Sequence, residues 1–353
     1  MAIYWGVGAS LALIILSLLP FMTDVNNNWR PFYKIWTIPT LLGTVLVYIF
    51  APETYFVRPP IAFDGRILVQ SGSEKVQLYK NWAEVPGGKP PPNVPAPSAF
   101  ILFLKQRRIF RKNIDWKAMG ACYPQIFLCL GNPLVFWVAV LNAINFGGMM
   151  SIGITFPITL SKPPHSLSPH LISLVNLAAA GGALLAWPAS WVVLNCVTKR
   201  LTLRNHGVRH AEYYLCAFLL PVISGAASVI LYGFAAERGW PAAWTYFAYA
   251  LNGFSSIGSG IANTMWVTEA FPKWAAAALA VVGGVSYIVS WGLSSVIPRW
   301  LDSQGYLNMN IEIGLAMLLV GFVGIPIAFW GKNVRQFLHG RWGTYEGGGL
   351  RPQ

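Results

Sequence analysis

Apolar residues gather along this chain into eight segments long enough to cross a bilayer, two before a long polar stretch and six after it. A hydrocarbon core of roughly 30 Å takes about 20 helical residues. The runs predict spans over Ala2 to Leu19, Phe32 to Phe50, Pro133 to Ile158, Leu171 to Leu194, Tyr213 to Phe234, Trp244 to Val267, Ala275 to Ile297 and Ile311 to Trp330. Backbone polar groups find no water partner in lipid, so runs of this kind fold as helices. The pattern predicts an all-α polytopic membrane protein of about eight transmembrane helices. It divides into a pair of spans (1–51), a central loop (52–131), a six-span unit (132–335) and a tail (336–353).

Composition agrees with that reading: 55% of residues are apolar and only 10% are charged, which excludes a water-exposed globule. The net charge of +13 would raise nucleic acid in a soluble protein, but here placement decides. Arg30, Lys34, Lys162, Arg238 and Arg299 fall on one face of the predicted topology, and the other 20 of the 25 Lys and Arg fall on the opposite face. Basic residues are retained on the cytoplasmic side during insertion, so both termini, the central loop, the Asn195 to Ala211 loop and the Phe271 to Trp274 turn are expected in the cytosol, and no nucleic-acid partner is expected. The first segment lacks a basic n-region and a small-residue cleavage site, so it is expected to remain as a mature helix. Cys122, Cys129, Cys196 and Cys216 fall in spans or on the cytosolic side, which excludes an extracellular disulfide among them. Their spacing and that of the five histidines give no metal-ligand pattern, and no Asn-x-Ser/Thr sequon lies in the short outer loops.

The central loop changes composition sharply. Prolines from Pro90 to Pro97 predict an extended, semi-rigid stretch. From Ser98 to Asn113, apolar residues such as Phe100, Leu104 and Phe110 mix with the basic run Lys105 to Lys112. That combination suits an interfacial helix on anionic lipid; a basic tether that only enforces topology is the plainer alternative.

No cluster of Ser, His, Asp or Cys suited to catalysis emerges in the spans: His165 and His170 flank an outer loop without a nearby carboxylate, and His206 and His210 lie in a cytosolic one. An enzyme is not expected, no Walker-type phosphate loop is present, and no cofactor is expected. The spans instead hold small residues and isolated amides. Ala180-Gly181-Gly182-Ala183, Gly253, Gly258, Gly260 and Gly283-Gly284 predict close backbone approach. Asn142, Asn145, Asn176, Asn252 and Asn263 sit at membrane depth, where each either pairs across helices or lines a wet cavity. Asn142 and Asn145 are favoured for a pathway because they are three residues apart and precede Gly147-Gly148, a place where a helix can break. Trp137, Trp244, Trp266 and Tyr287 read as belt residues at the membrane–water interface. Glu312 begins the last span, and Glu269 ends the sixth on the face that also holds the basic Asn195 to Gly207 loop. Pairing there would make either a gate or a static surface ion pair.

The order of these features resembles the major facilitator superfamily, and in particular its fungal twelve-span drug and polyamine proton antiporters. In that pattern the sixth span ends in Pro-Glu-Thr, as in Pro52-Glu53-Thr54. The loop after the eighth span carries Gly-x-x-x-Asp, basic residues and Arg-Asn-x-Gly, and the tenth span ends in an acid, two residues and Pro. Arg204-Asn205-His206-Gly207 and Glu269-Ala270-Phe271-Pro272 match, with Lys199 and Arg200 at the expected distance. Asn195 replaces the Asp, and Trp191 replaces the Gly. The resemblance runs from the first span to Arg335 and implies that the spans correspond to the family's fifth through twelfth: a complete second half and an incomplete first half lacking four spans.

A major facilitator-type bundle implies a secondary transporter that moves a small organic solute, drug-like or polyamine-like, by alternating access at the plasma membrane, with protons as the coupling ion. Asn142, Asn145 and Asn252 are then the expected substrate-pathway residues. Glu53, Asn195, Lys199, Arg200, Arg204 and Glu269 form the expected cytosolic gate. The alternative is a truncated, non-transporting remnant or a membrane-assembly partner.

Overall fold

A computed structural model describes residues 2–18, 20, 30–50, 67–70, 76–85, 116–205, 210–272 and 274–342 of the chain. Its helices are α1 (Ala2–Ser17), α2 (Arg30–Phe50), α3 (Trp116–Leu130), α4 (Pro133–Ser161), α5 (Pro169–Arg204), α6 (Leu219–Glu237, entered through a 3₁₀ turn at Ala211–Phe218), α7 (Ala242–Ala270), α8 (Ala275–Phe322) and α9 (Gly324–Trp342). By length and apolar composition, Pro133–Ser161, Pro169–Arg204, Ala211–Glu237 and Ala275–Arg335 each suffice to cross a membrane. The fold is an all-α membrane helix bundle.

Local chemistry accounts for the helix ends. Asn132 caps α4 by accepting the Leu134 N–H at 2.9 Å, with Pro133 at the first helical position. The 48 residues of α8 would form a straight rod of roughly 72 Å at 1.5 Å per residue, more than twice the hydrocarbon thickness. Gly305 breaks it at φ 78° and ψ 174°, a region that side-chain-bearing residues avoid. The Glu237 carboxylate accepts the freed Tyr306 N–H at 3.0 Å, so α8 consists of two limbs joined at Gly305.

The chain separates into two compact units. One comprises 1–32 and 116–350 and holds α1 with α3 to α9. In it α4 packs on α8, α5 on α7, α6 on both α7 and α8, and α1 on α5. Its apolar core has two layers. One includes Val138, Tyr214, Ile261, Trp266 and Ala278, and the other includes Ile152, Val175, Tyr232, Ala248 and Met309. The close approaches expected of the glycines occur at α5 and α7. A Cβ on Gly182 would strike the Ala250 carbonyl of α7, and one on Gly253 would strike the Ala179 carbonyl of α5. Gly181, Gly283 and Gly284 face open space instead.

The second unit, 33–115 with 351–353, contains most of α2, whose Thr37, Thr40 and Thr44 hydroxyls donate to carbonyls one turn back at 2.8 Å. Such back-bonding satisfies a hydroxyl without leaving the helix, which suits a lipid-facing surface. It also contains a β-hairpin, β1 (Ile67–Gln70) antiparallel to β2 (Val76–Tyr79), in register Ile67 to Tyr79 and Gln70 to Val76. The hairpin belongs to the central loop, for which no strand is predicted above. Two four-residue apolar runs around Ser-Gly-Ser-Glu-Lys are enough to pair. Helix α3 is a second addition to that loop. Its Cys129 lies in the core, and burial pushes the thiol up to about 12.

Several expectations fall elsewhere. Glu53, the prolines from Pro90 to Pro97 and the basic run from Lys105 to Lys112 lie outside the described residues. Helix α4 runs unbroken through Gly147 and Gly148. There the missing side chains admit Leu293 and Val229, so packing, not a helix break, explains the pair. Trp137 and Trp266 are core residues with an edge-on ring contact at 6.0 Å, whereas Trp244 is exposed.

Candidate functional site

A cavity of about 640 Å³ lies among α1, α4, α5, α7 and the first limb of α8. Its wall is apolar and aromatic, with Trp5, Phe146, Tyr249 and Tyr287 as the rings, and it carries a polar band of Asn142, Asn252, Ser256, Asn263, Thr264 and Ser286. Ser256 is the central residue of the 29-residue α7, so the band is at mid-depth of the bundle. Among the described residues that line it there is no carboxylate, Lys, Arg or His. Glycines make the room: Gly283 on α8 has no neighbour within 4 Å of a Cβ position. The Gly182 and Gly253 contacts hold α5 against α7 at the opposite wall.

The hydrogen bonds of the band can be followed donor by donor. Ser286 donates to the Val282 carbonyl at 2.8 Å, so its oxygen is the acceptor for Asn142 Nδ2 at 2.7 Å. Asn142 Oδ1 then accepts Asn263 Nδ2 at 2.8 Å. The amide orientations are fixed by this order, and Asn263 Oδ1 is left without a partner. On α6, Ser228 spends its hydrogen on the Gly225 carbonyl at 2.7 Å. Asn252 therefore offers it Nδ2 at 3.2 Å and keeps Oδ1 unpaired. Ser256 Oγ is the third buried polar atom of the band that has no partner. Leaving such a group unmatched costs about 1–3 kcal/mol, and α7 carries three.

Of the expected pathway residues, Asn142 and Asn252 line this cavity. Asn145 does not: it is buried between helices, its side-chain amide 3.1 Å from the Ser255 oxygen, whose hydrogen goes to the Pro221 carbonyl at 2.6 Å. Three residues of separation turn a helix by 300°, enough to move Asn145 from the cavity face to a packed one. Ser256 and Ser286 join the site without having been singled out, because serines are common in such spans and only the fold shows which ones face space.

At the far end of α5 and α7, Asn195, Lys199, Arg200 and Arg204 are exposed, and so is Glu269. Among the described residues Glu269 forms no ion pair with those basic groups; its Oε1 accepts the Tyr214 hydroxyl at 3.3 Å. The ion pair found at this end is Arg335 to Glu212 at 2.9 Å, with both side chains nearly buried. It ties α9 to the 3₁₀ turn before α6.

These features define a class: an integral membrane helix bundle with a polar-banded cavity at mid-depth. Among known proteins, the chain is similar to Protein HOL1 of Saccharomyces cerevisiae, 21% identical over 195 residues, which cover 54% of this chain and 33% of that protein. It is also similar to the efflux pump vrtL of Penicillium aethiopicum, 21% identical over 224 residues, covering 62% of this chain and 43% of the pump. The matches thus span between a third and a half of the length of these curated relatives. No family model matches the chain, and no solved structure matches it.

Proposed function

We propose that this chain is the pathway-bearing part of a major facilitator-type secondary transporter, moving a small organic solute by alternating access. The observation that carries the proposal is the 640 Å³ cavity with its polar band at mid-depth of a membrane bundle, the place and size expected of a solute site. The similarity to an efflux pump supports the same reading. Asn142 and Asn252 contact the solute, and Asn145 sets the spacing of α4 and α7 beside it. Asn195, Lys199, Arg200, Arg204 and Glu269 form the cytosolic latch, which closes when the ends of α5 and α7 converge. Protons drive the cycle, the plasma membrane is the site of action, and both termini face the cytosol.

The test is flux through the purified full chain in proteoliposomes, across a panel of drugs, polyamines and sugars, with and without an imposed pH gradient. Transport of at least one compound, dependent on the gradient and lost when Gly283→Trp fills the cavity, is expected. Absence of flux for every compound would favour the other reading, a non-transporting assembly partner. Orientation is checked on a variant that keeps only Cys196, an exposed thiol at the latch end. A membrane-impermeant maleimide should label it from the cytosolic side alone.

A further inference from the structure

Helix α5 is 36 residues long, roughly 54 Å at 1.5 Å per residue, against a hydrocarbon core of about 30 Å. Its C-terminal turns therefore stand among headgroups, and they carry Lys199, Arg200 and Arg204, all exposed. Closer to its N-terminus, an open groove of about 400 Å³ separates it from α7, walled by Leu185, Phe247, Leu251 and Phe254. Small residues make the room: Ala178 and Gly181 line the groove, and a Cβ on Gly181 would meet nothing within 4 Å. The close contact of Gly182 with Ala250 forms the floor. Groove and cations share one face of the helix. At 100° per residue, Ala178, Gly181, Val192, Cys196 and Leu203 all fall within about 40° of Leu185, and from Leu185 onward these residues are exposed. Lys199 and Arg200 flank that line, at about 40° on one side and 60° on the other. The helix continues to Arg204, so the spacing is built in. Leu185 lies roughly 21 Å from Lys199 along the axis, and one leaflet with its headgroups is about 20–22 Å thick.

We infer that this face of α5 is a site for one anionic glycerophospholipid of the adjoining leaflet, its phosphate held between Lys199 and Arg200 and the end of an acyl chain seated in the groove between α5 and α7. Charge chooses the headgroup. A zwitterionic lipid brings no net charge to the cations, whereas each basic group beside anionic lipid strengthens binding by roughly fivefold. Arg200 offers a fork of N–H donors that matches phosphate oxygens, and Lys199 adds a point charge. Shape chooses the chain: the groove is a recess in an exposed apolar wall, and a chain end that fills it gains contacts that a flat helix surface does not supply. A soluble anion meets the cations but has nothing for the groove. The two parts lie a leaflet apart, a distance that a lipid bridges. The groove shares no lining residue with the mid-depth cavity, so the site holds whether or not that cavity carries a solute. Because the latch proposed above uses the same cations, the lipid phosphate and Glu269 are alternative partners for them.

The experiment places the full chain in phosphatidylcholine nanodiscs with a trace of phosphatidylserine or of phosphatidylcholine that carries a photoactivatable diazirine near the end of one acyl chain. Crosslinked peptides are mapped by mass spectrometry. The phosphatidylserine probe should mark segments 178–185 and 247–254 about tenfold more than the phosphatidylcholine probe does. Lys199→Gln combined with Arg200→Gln, both at exposed positions, should bring that ratio toward one. Gly181→Trp, which fills the groove, should remove the marks from both segments, and excess soluble glycerophosphoserine should leave them unchanged. Equal marking by the two probes, or a preference that survives loss of both cations, overturns the headgroup site. Marks spread evenly over the exposed faces, or retained in Gly181→Trp, overturn the groove as the seat of the chain. Competition by glycerophosphoserine overturns the lipid as occupant. These readouts do not involve flux, so their failure is distinct from failure of the transport reading.

Discussion

Asn252 and Asn310 are both 0% exposed, and they sit in the same bundle, on α7 and α8. Asn310 Oδ1 accepts the Ser151 hydroxyl at 2.9 Å, and its Nδ2 donates to the Tyr306 carbonyl at 2.7 Å. Nearby, Thr155 and Tyr232 share a hydrogen bond at 2.7 Å. The interface of α4, α6 and α8 thus closes its polar groups among themselves. Asn252 uses its nitrogen and leaves its oxygen unpaired, as does Asn263, and both residues line the cavity. An asparagine at membrane depth is therefore ambiguous by type and by burial. Which atom remains after the donors have been assigned separates adhesive from site.

The largest effect expected of any single change is at the contact of α5 with α7. Gly182→Leu or Gly253→Leu drives a side chain into the facing backbone carbonyl of Ala250 or Ala179, and backbone cannot be repacked as a side chain can. A loss of about 3 kcal/mol or more is expected, at or beyond the upper end of ordinary overpacking, read as a lowered thermal midpoint in detergent and a loss of monodisperse protein. Gly181→Leu, which points into open space, should stay within about 0.5 kcal/mol of the parent. Equal damage from Gly181 and Gly182 would show that the α5–α7 contact is not as close as described.

Next in size is the contrast of the two asparagines themselves. Asn310→Leu strands the Ser151 hydroxyl and the Tyr306 carbonyl, which predicts a loss of about 1–2 kcal/mol. Asn252→Leu breaks one hydrogen bond of 3.2 Å but also removes an unpaired oxygen, so its stability should stay within about 0.5 kcal/mol while its flux falls. Unfolding of the two variants side by side decides the matter. If Asn252→Leu is the more destabilised, Asn252 is structural and the comparison fails.

Much of the architecture could be read from the residues, because span lengths and their spacing answer directly to bilayer thickness. Every predicted span that lies among the described residues is helical, and the glycines flagged for close approach include the two that provide it, Gly182 and Gly253. The turn at Gly305 was implied only by the gap between the last two spans; its positive φ and the Glu237 cap belong to the fold. The hairpin and α3 were missed for a different reason. Each is a short apolar run inside a polar, proline-bearing stretch, where average composition hides local pairing. The site was half legible. Amides at depth were visible, but the choice of Asn142 over Asn145 turns on helix rotation against particular neighbours. Ser286 matters only because its hydroxyl is committed to Val282, which then orients Asn142 and Asn263. No periodicity carries that chain of commitments.

The smallest stability effect, and the one that bears most on gating, concerns Glu269. Its exposed carboxylate accepts a 3.3 Å hydrogen bond from Tyr214, which a glutamine carbonyl can also accept. Glu269→Gln should therefore change stability by only a few tenths of a kcal/mol, the scale of exposed electrostatics. In the latch proposed for this end, the same substitution removes the charge that draws Lys199, Arg200 and Arg204 across when the helix ends converge. The inward-open population should then rise, because only the converged state used that charge. Cys196 stands one residue from Asn195 and three from Lys199, exposed at the same end, and reports on closure directly. In a variant retaining only this cysteine, maleimide labelling should become faster in Glu269→Gln than in its parent, and added salt should speed the parent toward the variant by screening the attraction. An unchanged labelling rate together with unchanged stability would reduce Glu269 to an acceptor for Tyr214, leaving Arg335 and Glu212 as the electrostatic contact that organises this end of the bundle.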